Sequence, residues 1–233
     1  MADKWNSFYK FFITQQGYLD TLKGLGNTLL VAVSGLIIGI IIGVLLAVIK
    51  LLPAKNIGII ILKKVADIYV VFFRGTPIVV QLLLMYFVLL PAIGLIRVPA
   101  LVVGMIAFGL NSGAYESEMM RGGILSVDSG QTEAGRTLGL SYYQTMKLII
   151  LPQAIKNIIP MLGNEFIVLV KETSVLSFIT ILDLTKSFKQ IGDSTYEYIV
   201  PYLMLAVAYL LLVLVISYFV KKIERRLRQS DRG

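Results

Sequence analysis

Two stretches of the chain carry ionisable and hydrogen-bonding side chains at spacings that could do chemistry. In LNSGAYESEMMRGGI, residues 110–124, Asn111, Tyr115 and Glu118 recur at i, i+4 and i+7 on one helix face, and Ser112 and Glu116 share the neighbouring face. In NEFIVLVKETS, residues 164–174, Asn164 aligns with Lys171 and Glu165 with Glu172. Glu118 has Arg121 three residues on, an ion pair that accounts for both, whereas neither Glu116 nor Glu165 has a Lys or Arg three or four positions away. The chain holds no His and no Cys, which removes disulfides, thiolate nucleophiles, His-based zinc sites and Ser-His catalysis. No HExxH is present, and Glu116 and Glu118 point to different faces, so paired acid and base hydrolysis is excluded too. A carboxyl group left without a partner can still hold a cation or a proton.

The elements that position these groups follow from composition. Hydrophobic residues make up 57% of the 233 and charged residues 15%, against about 45–50% and roughly 25% in soluble domains. That balance implies a polytopic membrane protein, and an all-α one, because unpaired backbone groups are too costly in lipid. A bilayer core roughly 30 Å thick takes about 20 helical residues to cross, and five segments qualify: 25–49, 68–90, 100–121, 154–171 and 198–220. Between the last two, the apolar stretch 175–184 is too short to cross and is expected to be re-entrant or interfacial. At about 1.5 Å per residue, Asn111 and Glu165 each lie roughly 16 Å into their crossings, close to the midplane, where polar groups must face protein or water. Glu165 there either meets a cation or is a protonated carboxyl hydrogen-bonded across helices.

Of the 22 Lys and Arg residues, 14 fall on one side of a five-crossing frame and 7 on the other, with Arg74 at a membrane edge. The positive-inside rule then puts the N-terminus outside and the C-terminus in the cytoplasm, which explains the net charge of +8 without nucleic acid. Residues 1–24 lack a signal-peptide pattern and place Trp5, Phe8, Tyr9, Phe12 and Ile13 at helical spacing, as an interfacial helix would. Residues 25–220 form the transmembrane domain and 221–233 a basic cytoplasmic tail. Gly35, Gly39 and Gly43 repeat along one face of the first crossing and permit close helix packing. In Arg74-Gly75-Thr76-Pro77 the proline frees a backbone carbonyl and bends the second crossing, a structural role rather than a ligand contact.

The longest inner connection is the loop at about 126–153. Residues 132–138 can start a short helix that Gly139 breaks, Ser141 caps a second one, and Pro152 stops or bends it. Two short helices with a glycine joint make a knob suited to being gripped by another protein.

This loop resembles that of the membrane-spanning permease subunits of binding-protein-dependent ABC importers. Their Glu-Ala-Ala, three residues, Gly, then Ile-x-Leu-Pro pattern is matched by Glu133, Ala134, Gly135, Gly139, Ile149, Leu151 and Pro152, with Gly135 in place of the second Ala. FRGTPIVVQLLLMYF at 73–87, LNSGAYESEMMRGGI, GQTEAGRTLGLS at 130–141 and NEFIVLVKETS extend the resemblance to the polar amino acid branch over nearly the whole chain.

The resemblance implies the type I importer permease fold, two permease subunits (a homodimer or a pair with a homologue), a cytoplasmic ABC ATPase dimer and an extracytoplasmic amino-acid-binding protein, in a cytoplasmic membrane with its lipid. It also implies that the loop is a coupling helix seated in the ATPase, through Glu133, Ala134, Gly135, Gly139, Leu151 and Pro152. The chain itself is then no enzyme and holds no cofactor, ATP and Mg belonging to the partner, and no GxxxxGK[ST] pattern is present. A pathway residue set of Asn111, Tyr115, Glu116, Asn164 and Glu165, with its midplane acids, is expected to prefer a basic amino acid. The competing expectations are an uncharged polar amino acid such as glutamine or cystine, with Glu165 protonated, and, more distantly, an ion channel, for which nothing in one chain repeats to build a filter.

Overall fold

A computed structural model describes residues 2–54 and 56–229; residues 1, 55 and 230–233, including the end of the expected basic tail, lie outside the described residues. The described chain is all-α, with helices α1 (Ala2–Tyr9), α2 (Gly17–Leu51), α3 (Ile57–Gly75), α4 (Ile78–Leu84), α5 (Leu90–Ala92), α6 (Ala100–Leu125), α7 (Ser129–Thr137), α8 (Tyr142–Thr145), α9 (Leu151–Glu172), α10 (Leu184–Thr195) and α11 (Ile199–Gln229). On length and apolar composition α2 and residues 199–227 of α11 can cross a membrane, and α3 with residues 78–92 is a third candidate if the bent pair is one span. At 26 and 22 residues α6 and α9 have the length of a crossing, but they carry the polar residues of the interior and fall short of the same hydropathy.

The glycines of α2 explain why α6 sits so close to it. Gly35, Gly39 and Gly43 are buried along one face, against Phe108, Ser112 and Glu116 respectively. The core above this seam joins Val31, Leu82, Val103, Phe108 and Leu169 to Leu176, Ile179 and Ile181. The last three belong to the segment expected to be re-entrant or interfacial. It forms a 3-10 turn, Thr173–Ile179, followed by α10, and packs into the end of the bundle because Asn27 Nδ2 donates to Leu182 O (2.8 Å) and the Leu184 N–H to Thr28 Oγ1 (3.2 Å). Asp183 caps α10 by accepting from the Thr185 and Lys186 N–H groups.

The N-terminal aromatic face divides. Phe8 is buried with Leu184, Phe188, Ile191 and Val200, while Trp5, Tyr9 and Ile13 remain exposed. Lys4 Nζ lies 2.8 Å from Glu197 Oε2, and that hydrogen bond holds the Glu197 carboxyl below the usual carboxylate range.

Two proline positions test the expectations. The second crossing bends at Pro77 as expected, but it starts at Ile57 rather than near 68 and breaks outright at Thr76–Pro77, where the two pieces meet at 107°. Proline excludes the helical region for the residue before it, and Thr76 is extended at φ −122°, ψ 143°. Pro152 was expected to stop or bend its helix, yet the helical backbone runs on from α8 into α9 through a π-helical turn at Met146–Ile150. A wider turn ahead of proline absorbs the missing N–H and the ring. Pro91 follows the π-helical turn Met85–Leu89 in the same way.

Candidate functional site

Glu116 and Glu165, unpaired within their own helices, come together across α6 and α9. Ser112 Oγ is 2.9 Å from Glu116 Oε1 and 3.3 Å from Glu165 Oε1. One hydroxyl proton can serve only one of these acceptors at a time. Glu116 is fully buried and its Oε2 has no hydrogen-bond partner; Glu165 retains 6% of its surface. No ion pair among the described residues reaches either carboxyl. Gly39 closes the pocket on the α2 side, where an added Cβ would stand 2.9 Å from Glu116 Oε1. Two carboxyl groups enclosed without a counter-charge disfavour two negative charges and favour the uptake of one positive charge between them.

The neighbouring face of α6 does other work. Asn111 Nδ2 donates to Phe73 O (3.2 Å) and to Gln81 Oε1 (3.0 Å), and Gln81 Nε2 donates to Phe73 O, Thr76 O and Thr76 Oγ1 at 2.8–2.9 Å. Together they satisfy carbonyls released by the break at Pro77. Tyr115, one turn along, carries the Arg74 guanidinium over its ring at 5.4 Å. Asn164 turns away from the carboxyl pair: it is exposed and lines a separate cleft of about 540 Å³ with Ser126, Lys156, Asn157 and Glu224. Glu118 pairs with Arg121 (2.9 Å), as its spacing required, and also with Lys50 (2.8 Å), which reaches Asp67 at 3.0 Å.

The knob between α6 and α9 starts with Asp128, which caps α7 by accepting from the Gly130 N–H (2.7 Å). Glu133 and Ala134 lie exposed on α7, while Gly135 is buried with an added Cβ 2.7 Å from Thr145 Cγ2. Its small size therefore lets α7 close onto α8. Gly139 makes the turn at φ +76°. Ser141 and Gln144 form a reciprocal capping box, and Leu151 and Pro152 are exposed at the base of α9.

Two residues of this site, Ser112 and Gln81, carry more of the geometry than sequence reasoning assigned them. Gln81 is the lone polar residue of the apolar run Ile78–Leu84, a signal that marks it for a partner at membrane depth.

Comparison with known proteins gives the arrangement its family. The model describing the binding-protein-dependent transport system inner membrane component matches residues 39–229. The chain is 41% identical over 221 residues to the putative glutamine transport system permease protein GlnP of Rickettsia typhi, covering 94% of this chain and 95% of that one. It is 39% identical over 210 residues to the arginine transport system permease protein ArtQ of Bacillus subtilis, covering 90% and 93%. A crystal structure of an amino acid ABC transporter with histidines superposes with a TM-score of 0.84 at 39% identity, covering 93% of this chain and 98% of that one. With the carboxyl pair, the knob and the helices from α3 to α11 falling within residues 39–229, the chain belongs to the inner membrane components of binding-protein-dependent transport systems, the permease subunits of ABC importers whose ATPase is a separate chain.

Proposed function

We propose that the chain forms the membrane pathway of an amino acid importer and that Glu165, with Glu116 behind it, receives the cationic group of a basic amino acid such as arginine or lysine. The observation that carries this reading is the pair of buried carboxyls on one Ser112 hydroxyl, with no ion pair to either among the described residues. A bound ammonium or guanidinium offsets the desolvation of the pair and supplies the donors its unpartnered oxygen lacks. Tyr115 lines the approach and Asn111 holds the broken second span against α6, while Asn164, in the separate cleft, stands apart from the carboxyl pair. The N-terminus faces out and the knob faces the cytoplasm, where Glu133, Ala134, Gly135, Gly139, Leu151 and Pro152 meet the ATPase dimer that binds ATP and Mg. A second permease, identical or homologous, closes the pathway, and an amino-acid-binding protein loads it from outside.

A neutral substrate is the second reading, favoured by the glutamine permeases among the relatives. In that case the pair holds a proton instead of a cationic side chain. Uptake of arginine and glutamine by the reconstituted importer, in wild type and Glu165→Gln, separates the two. The basic reading expects a wild-type preference for arginine that the amide reduces by about tenfold or more, the scale of one charge-assisted hydrogen bond. A wild-type preference for glutamine, or unchanged arginine uptake in the variant, refutes it.

A further inference from the structure

Arg74 is a cation that the protomer itself does not neutralise. It is exposed, its guanidinium stacks over Tyr115 at 5.4 Å, and no hydrogen-bond acceptor or carboxylate among the described residues pairs with it. Its depth follows from its neighbours. Tyr115 is the sixteenth of the 26 residues of α6, about 22 Å from one end of that helix and about 15 Å from the other at 1.5 Å per residue. Phe73 O, one residue before Arg74, accepts from Asn111 on the same stretch of α6. An arginine at this depth faces protein or water and has a partner in the working assembly.

The local backbone is not that partner. The break at Pro77 releases carbonyls beside Arg74, but Phe72 O accepts from Thr76 Oγ1, Phe73 O from Asn111 and Gln81, and Thr76 O from Gln81. Stacking on Tyr115 fixes the plane of the guanidinium and leaves its edge, a planar fork of N–H donors, open to a planar anion. The Glu165 and Glu116 carboxyls, held on the Ser112 hydroxyl on the neighbouring face of the same turns of α6, supply the opposite charge for a cationic group of the substrate.

We propose that Arg74 is a specificity-determining residue that binds the α-carboxylate of the transported amino acid. This rests on the reading that the pathway takes amino acids, and it is independent of which side chain is preferred, since arginine and glutamine share the carboxylate. Tyr115 is the positioning residue that holds the fork in place.

The test uses the assembled permease–ATPase complex in nanodiscs, with binding of arginine and glutamine measured against argininamide and glutaminamide, which replace the carboxylate with a neutral carboxamide. The wild type is expected to favour each acid over its amide by about tenfold or more, the worth of a charge-assisted hydrogen bond. Arg74→Gln is expected to erase that preference by weakening the acids alone. If Arg74→Gln fails to assemble, Arg74→Lys carries the test: it keeps the charge but loses the stacked fork, and the acid preference should fall several-fold. An acid preference unchanged in whichever variant assembles overturns the proposal and leaves Arg74 to the subunit interface. Glu165→Gln is measured alongside. It should keep the acid-over-amide preference, so a failure of the cation reading shows as an unaltered arginine-to-glutamine ratio in that variant and leaves the Arg74 result standing.

Discussion

Gly39 occupies space that a single methyl group would take from the carboxyl pair, since its added Cβ would stand 2.8 Å from Ser112 Cβ and 2.9 Å from Glu116 Oε1. Gly39→Ala must push α2 from α6 or move Ser112 off its acceptors. Overpacking of this kind costs about 1–3 kcal/mol, so the thermal midpoint of the purified complex is expected to fall. Gly122→Ala, where no atom lies within 4 Å of the new carbon, should leave the midpoint unchanged or raise it slightly. Equal midpoints for the two variants would show that the seam tolerates a larger residue. That Glu116 and Glu165 lack a partner on their own helices was legible in the sequence, because an acid with no cation at helical spacing stands out in an apolar span. Their shared hydroxyl was not, because the contact joins two helices and no periodicity within either one encodes it. Asn111 was legible as a polar residue at depth, but its bond to Gln81 depends on where the second span breaks.

At the scale of the element, the knob divides its tasks between an exposed charge and a strained turn. Glu133 is exposed on α7, so Glu133→Lys should leave packing intact. Gly139 sits at φ +76°, a region that a β-branched residue enters only at a cost of about 1–3 kcal/mol. Both Glu133→Lys and Gly139→Val are expected to abolish most substrate-stimulated ATPase activity of the complex in liposomes, with the membrane bundle still folded by circular dichroism. Wild-type stimulation in both would remove the knob from the coupling path. The Gly139 break and the Ser141 cap could be read directly, since each is a local signal. The passage of α8 into α9 through Pro152 could not, because a π-helical turn has no residue signature and competes with the stronger rule that proline ends helices.

For the whole molecule, the described part has a side bearing α1 and α10 and an opposite side bearing the knob. In the five-crossing frame read from the sequence, the basic residues favour the side of the 126–153 loop by 14 to 7, with Arg74 set apart, so the knob is expected in the cytoplasm. The chain has no cysteine of its own, which makes single introduced thiols clean reporters. Asn6→Cys should react with an impermeant thiol reagent in intact cells and Leu138→Cys should not; the reverse pattern refutes the orientation. The long helices α2, α6, α9 and α11 and the broken second segment were legible in the sequence, but their ends were not. The first is 35 residues long because its extra turns pack on α10, whose contacts come from distant parts of the chain. The segment 173–195 was hidden for the same reason: its apolar residues find their partners on α2, α6 and α11.

The unbroken helical path from Tyr142 to Glu172 makes the fourth segment a lever. From Thr145, buried against Gly135 in the knob, to Glu165 is a run of 20 residues, an arm of about 30 Å at 1.5 Å per residue. A 5° tilt about its knob end would carry the Glu165 carboxyl sideways by about 2.6 Å on that arm. The Ser112 contact, already 3.3 Å long, would not survive that displacement. The spacing of the two carboxyls and the angle of the knob are then one mechanical variable, and a small rotation imposed at one end of the helix suffices to part the pair at the other.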